Sequence, residues 1–235
     1  MNTEPETLVV LPPYQGIQLD QVRLVKSGHD VQAALAALMA ADAVGFDTES
    51  KPTFVKGETS TGPHLIQLST DDTAYLFQVG PNPPSDVLKA LKAILESPIT
   101  LKVGFGLSDD VKRLRHKLGI SPVQVLDLSV ALRGGQRNDL GAKTAVAKFF
   151  GMRLQKSKKI STTNWATTRL SEKQILYAAD DAQVALRVYR RWLAEGGKVA
   201  PSKAQRVPAT APATAPATAP ATAPATAAII IADKP

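Results

Sequence analysis

From residue 43 onward, short apolar runs give way to an alternation of helical and strand-like stretches, and this order constrains the fold more than any other feature. Ala43–Glu49, Leu65–Ser69 and Tyr75–Val79 read as strands, with turn signals between them at Gly62-Pro63 and Asp71-Asp72. A helix is expected over Asp86–Leu95, a strand over Thr100–Phe105, a helix over Asp109–Leu118 and a strand near Val123–Leu126. Helices are expected again at about Leu140–Phe150 and over Glu172–Glu195, and a strand (Val22–Val25) and an alanine-rich helix (Val31–Ala41) precede them all. Three strands in hairpin-like order followed by helix–strand alternation predict an α/β fold: a mixed β-sheet flanked by helices, in a single domain.

The C-terminus cannot join that sheet. Five tandem Pro-Ala-Thr-Ala units run from Pro208 to Ala227, and a proline at every fourth position forbids a helix and leaves little to bury. Residues 200–235 therefore read as an extended, disordered Pro/Ala/Thr-rich spacer, residues 17–199 as the folded domain and residues 1–16 as an N-terminal extension. The chain has no cysteine, which excludes disulfides, thiolate metal sites and a cysteine nucleophile. Its three histidines, His29, His64 and His116, lie too far apart to suggest a histidine-built zinc site. The start has two acids and no basic region before its short apolar run, unlike a secretory signal, and no run approaches the roughly 20 apolar residues of a membrane span, so a cytoplasmic protein is expected.

Chemistry is carried by acids. Asp47 and Glu49 end an apolar strand two residues apart, a spacing that puts both carboxylates on one face. Neighbouring carboxylates in an apolar setting repel each other unless a cation neutralises them. On the last helix, announced by the capping-box pair Ser171 and Gln174, Ile175, Ala179, Ala182, Leu186, Tyr189 and Leu193 form an apolar stripe. Asp180 falls in a polar sector with Lys173, Gln183, Arg187, Arg190 and Arg191, among cations and water. Asp181 falls on a face with Tyr177, Val184, Val188 and Trp192, where an acid wants a structural reason. Ser108 is a plausible N-cap for the helix that carries Asp109 and Asp110, and Asp110 lies beside its apolar stripe. Asp47, Glu49, Asp110 and Asp181 can thus face one cleft. Four hard oxygen donors without histidine or cysteine suit Mg2+ or Mn2+, and fit a site with two ions roughly 3.5–4 Å apart for phosphoryl chemistry. Other chemistries are thin: Gly104-x-Gly106 has Asp109 where a dinucleotide fingerprint needs its third glycine, and neither a GxSxG elbow nor a P-loop occurs.

These residues carry a resemblance. Phe46-Asp47-Thr48-Glu49 resembles the first motif of the DEDD (DnaQ-like) 3′→5′ exonuclease superfamily, and Val103–Asp110 resembles the second, with Asp110 in its acidic slot. Tyr177-Ala178-Ala179-Asp180-Asp181 resembles the third in its tyrosine (DEDDy) form, since Leu176 stands where the histidine form needs a histidine. Leu65-Ile66-Gln67-Leu68 and Asn164-Trp165 support the match, which is similar to the Werner-syndrome type exonuclease domain and to ribonuclease D. The resemblance implies a ribonuclease H-like fold and hydrolysis of nucleotides from a 3′ end as 5′-monophosphates, with DNA slightly favoured. A ribonuclease D-like RNA-processing enzyme or a non-catalytic nucleic-acid-binding module is the alternative. It further implies that Asp47, Glu49 and Asp181 hold a first ion, that Asp47 bridges to a second, and that Asp110 supports the site through water. Tyr177 would orient the attacking water or the phosphate, because a phenol near pKa 10 is a poor base at neutral pH.

Charge distribution points to the substrate. Residues 133–169 carry nine basic side chains against Asp139 alone, a net +8, whereas the remainder of the chain sums to −1. A phosphate-binding track is expected there, with Lys143, Lys156, Lys158 and Lys159 as contacts to nucleic acid, and with Phe54 in the 51–62 loop as a base contact. Trp165 and Trp192 read as packing residues rather than stacking platforms.

Overall fold

A computed structural model describes residues 10–199, apart from residues 27, 55, 56 and 135–137. The Pro-Ala-Thr-Ala tail therefore lies outside the described residues, as do residues 1–9 and Arg137 of the basic segment. Six strands, β1 (Val22–Val25), β2 (Ala43–Glu49), β3 (Leu65–Ser69), β4 (Ala74–Gln78), β5 (Leu101–Gly104) and β6 (Val125–Asp127), pair in the spatial order β1-β4-β3-β2-β5-β6. β3 runs antiparallel to both of its neighbours, and every other pairing is parallel. The carboxyl ends of five strands and the start of β3 consequently share one edge, the edge at which open α/β sheets gather ligands.

β2 shows how the layers form. Val44 and Phe46 point into an apolar core shared with α1 (Gly28–Ala40), α2 (Ser85–Leu95) and α3 (Ser108–Leu118). Ala43 points the other way, into a core built with α5 (Ala142–Phe150) and α7 (Glu172–Ala194). Gly45 shares that second face. A Cβ at this position would overlap the Ala182 carbonyl oxygen and the Ser69 hydroxyl, so only glycine lets α7 lie this close to the sheet. Ala178, Ala179, Ala182 and Ala185, all buried, complete the small-residue contact. By the two-residue period of a strand, Asp47 and Glu49 fall on the α7 side and Thr48 on the α3 side.

α7 opens with the expected capping box: Gln174 N donates to Ser171 Oγ (3.4 Å) and Ser171 N donates to Gln174 Oε1 (3.0 Å). Its polar sector differs from the expectation. Gln183 is 1% exposed and donates to the Asp71 carbonyl, Arg190 forks onto Asp42 (2.7 and 2.6 Å) and reaches Asp71, and Arg187 reaches Tyr14 and Gln15. Asp180 is only partly exposed and accepts the Ile17 N–H at 2.7 Å, beneath a segment in which a Cβ at Gly16 would overlap its carboxylate. Asp180, Gln183, Arg187 and Arg190 thus fasten residues 14–17 and the turns at 42 and 71, whereas Lys173 and Arg191 of the same sector are exposed as expected.

Two one-turn helices, α4 (Leu128–Ala131) and α6 (Lys158–Ser161), were not anticipated, because four residues are too few to show a period. β6 starts two residues later than expected, since Val123 N bonds to Leu95 O instead of entering the sheet. Among the described residues no helix is long and apolar enough to cross a membrane.

Candidate active site

Three of the acids meet where β2 ends against α7. Asp47 is half-buried, and burial together with the charges of Asp181 and Asp110 pushes its carboxyl well above the usual range, against the pull of Lys156. Glu49 is pushed up to about 9 by burial and then by Asp47 and Asp181. Asp181 is 8% exposed and raised by burial, with Lys156 holding it down through a 2.8 Å ion pair to Oδ1. Burial makes all three acids resist ionisation, and the neighbouring acids add to this for Asp47 and Glu49, so the group calls for a balancing cation.

Asp110 arrives from the other layer. It sits in the first turn of α3, buried, and takes the Thr48 hydroxyl as a hydrogen-bond donor over the end of the sheet. Arg113 Nη1 stands 3.8 Å from it. The turn before it is fixed by a residue that the sequence reading passed over. Asp127, at the end of β6, accepts from the backbone N–H groups of Gly106 and Leu107 and from that of Ser129, each at 2.9 Å. Ser108 therefore does not cap α3; Leu107 holds the cap position, and the Asp127 carboxylate orders the turn from outside. An acid at the end of an apolar run and two residues before a serine was the available signal, since this is the N-cap pattern of α4.

Tyr177 is half-buried one turn before Asp181, its ring 6.1 Å from that of Trp165. Burial and the charges of Asp181, Glu49 and Asp47 push the phenol above its ordinary value, so it stays protonated at neutral pH and can donate but not accept a proton. Lys156 stands inside the acidic group rather than on an open surface. Burial lowers its ammonium, the charges of Asp181, Asp47 and Glu49 more than offset that, and its Nζ also lies 6.0 Å from the Tyr177 ring centre. The other expected contacts lie outside this group. Lys143 on α5 and Lys158 and Lys159 on α6 are exposed, and Phe54 is 81% exposed in its loop. Trp165 is buried and donates Nε1–H to the Ser161 carbonyl, and Trp192 packs against the α5–α7 core.

The donor set suits a hard divalent ion: all oxygen, buried at Asp110 and Asp181 and half-buried at Asp47 and Glu49, and short of positive charge. Gln67, opposite Asp47 in the β2–β3 register, adds a buried amide with no hydrogen-bond partner among the described residues, as a polar group awaiting a water or ion would. The carboxylates are not drawn into a ready-made cage. Among the described residues no three ligand-type side chains surround a common point; Lys156 pairs with Asp181, and Thr48 donates to Asp110.

A mixed sheet of this order, with acids from β2, α3 and α7 at one edge, is a ribonuclease H-like nuclease scaffold. Residues 22–195 match the sequence model of the family described as 3′-5′ exonuclease, and the chain belongs to that family. It is 29% identical over 154 residues to a 3′-5′ exonuclease of Arabidopsis thaliana, covering 63% of this chain and 51% of the relative. It is 30% identical over 171 residues to ribonuclease D of Bartonella henselae, covering 72% and 40%. The chain thus spans about half or less of the length of these relatives. Among solved structures, the exonuclease domain of Aedes aegypti Nibbler superposes with a TM-score of 0.61 at 27% identity, covering 74% of this chain and 88% of that one. Trypanosoma brucei RNase D in complex with RNA U12 shares the fold, with a TM-score of 0.64 at 22% identity, covering 72% and 61%.

Proposed function

We propose that the chain removes nucleotides from the 3′ end of nucleic-acid strands by hydrolysis, releasing nucleoside 5′-monophosphates. The observation that carries this reading is the gathering of Asp47, Glu49 and Asp181 where β2 ends against α7, close enough to bear on one another's charge, with Lys156 paired to Asp181 and with Asp110 and Tyr177 at the same sheet edge. Two Mg2+ or Mn2+ ions, held by Asp47, Glu49 and Asp181 and supported by Asp110, would supply an ionised water and neutralise charge on the phosphate. The protein's own part is positional. Tyr177 keeps its proton and offers the hydroxyl as a hydrogen bond to the attacking water or the scissile phosphate. Lys156 can exchange its Asp181 partner for a phosphate oxygen, and Asp127 fixes the turn that delivers Asp110. The catalytic domain in this reading is residues 17–199, with residues 1–16 an extension and residues 200–235 an extended spacer.

DNA is the slightly favoured substrate of this reading. A second, RNA 3′ ends, draws support from the Bartonella henselae relative being named ribonuclease D. One digest tests all of it: 5′-labelled single-stranded DNA, duplex DNA and single-stranded RNA, each with Mg2+, Mn2+ or EDTA. Stepwise shortening from the 3′ end, lost in EDTA and in Asp181→Asn, is the expected result. Binding without shortening would overturn the enzymatic reading in favour of a binding module.

A further inference from the structure

A cavity of about 600 Å³ adjoins the carboxylates, and its lining inverts their charge. Lys51, His64, Lys117 and Trp165 contribute to its wall, and no carboxylate does. Two of those residues touch the site directly. The His64 backbone N–H donates to the Glu49 carbonyl at 2.8 Å, and the Trp165 ring lies against Tyr177. The frame is fastened throughout. His64 Nδ1 accepts the Lys51 N–H at 3.0 Å, which places the imidazole proton on Nε2, toward Thr61. His64 O accepts from Val79 N at 2.9 Å, and Lys117 Nζ donates to Pro63 O (2.7 Å) and Val79 O (3.4 Å), keeping one N–H for another acceptor. Lys51 has an ion pair with no carboxylate among the described residues. The volume is within the range of small-molecule sites, roughly 300–1,000 Å³.

Building on the exonuclease reading above, we propose that this cavity is a second nucleotide subsite, which takes the nucleotide on the 5′ side of the scissile bond, its base inside and its own 5′-phosphate on Lys51 and Lys117. Chemistry selects that nucleotide. The residue being released carries one phosphate, the scissile one, which belongs to the carboxylate site, and ends in a bare 3′-hydroxyl. A neighbouring pocket that offers two ammonium groups and no acid matches a further phosphate, and the nucleotide directly on the 5′ side is the first to bring one. Neither lysine belongs to the basic segment at residues 133–169, so the subsite is a separate anchor for the strand.

Gly80 gives the means to test it. It lines the cavity, and a Cβ placed on it meets no heavy atom within 4 Å, so a side chain starts there in open space and Gly80→Phe adds a ring at the cavity wall. The full-length protein is assayed with Mn2+ on a single-stranded thymidylate oligomer and on the p-nitrophenyl ester of thymidine 5′-monophosphate, which has no nucleotide on the 5′ side. The ratio of kcat/KM on the oligomer to kcat/KM on the ester should fall about tenfold or more in Gly80→Phe, the equivalent of a lost contact worth roughly 1.4 kcal/mol. Exposed Lys51→Ala, which disturbs no side-chain hydrogen bond, should lower the same ratio and reduce the salt slope of oligomer binding by about 0.7, the value of one single-strand phosphate. A ratio that stays constant in both variants overturns the subsite, whether the two activities persist or fall together. If the unaltered protein cleaves neither substrate, the exonuclease reading falls and this one with it.

Discussion

Lys102 offers a sharp test of how this fold handles charge away from the site. Its side chain is fully buried at the start of β5, and its Nζ donates to Ser97 O and Thr100 O at 2.8 Å and to Ile94 O at 3.5 Å, closing the turn after α2. Burial lowers the ammonium from 10.5 to about 8. At 1.36 kcal/mol per tenfold change in proton affinity, the charged form is roughly 3 kcal/mol worse off in the fold than in the open chain. Because the folded value is the lower one, the unfolded chain binds more protons between pH 8 and 10.5, so stability rises with pH across that window and is lost as pH falls through 8. Lys102→Met removes the titration. It also leaves the Ser97 and Thr100 carbonyls without this donor, a cost of about 1–3 kcal/mol each. At pH 7 the two effects nearly offset, and the variant should lie within roughly 1–2 kcal/mol of the parent. By pH 10 the parent should have gained roughly 2–3 kcal/mol on it. Urea unfolding of both proteins in EDTA from pH 7 to 10 gives the difference directly. If that difference is flat, the three carbonyls hold the ammonium as firmly as burial expels it, and the reasoning fails.

Gly45→Ala should destabilise the fold by about 3 kcal/mol or more, through overlap with the Ala182 carbonyl, and depress activity as α7 is pushed off β2; denaturant midpoints beside exonuclease rates check both. Asp180→Asn keeps an acceptor for the Ile17 N–H and should retain activity within a few-fold, whereas Asp181→Asn should abolish it with the fold intact by circular dichroism. Equal losses in the two would refute the division of roles between these adjacent acids. Exposed Lys158 and Lys159, changed together to Ala, should flatten the salt dependence of oligonucleotide binding by about 1.4, at roughly 0.7 per single-strand phosphate. An unchanged slope moves the phosphate track off α6.

What the sequence disclosed and what it hid divide along one physical line. β2, β3 and the start of α7 stand at the expected residues because their signals are local: a strand period, a turn dipeptide, a capping box. The pairing of Asp47 with Glu49 on one face follows from the same period. The role of the polar sector of α7 depends on partners far away, since Ile17 is 163 residues from Asp180 and Asp42 is 148 from Arg190. A helical wheel shows which side chains share a face; it cannot show that residues 14–17 will cover that face. Lys156 is the instructive middle case. Its place in a basic segment suggested a surface contact, yet a lysine's long stem let it reach back to Asp181, where the unbalanced charge was greatest.

That reach bears on why the acids can be assembled at all. Gly45 and the alanines of α7 bring Asp181 against Asp47 and Glu49, and the same closeness that would let them share an ion makes them repel without one. One ammonium cannot balance three carboxylates, and Glu49, pushed up to about 9 first by burial and then by Asp47 and Asp181, keeps its proton at neutral pH. In the proposed reading, a divalent cation at this edge would compete with the Lys156–Asp181 ion pair and with the Glu49 proton.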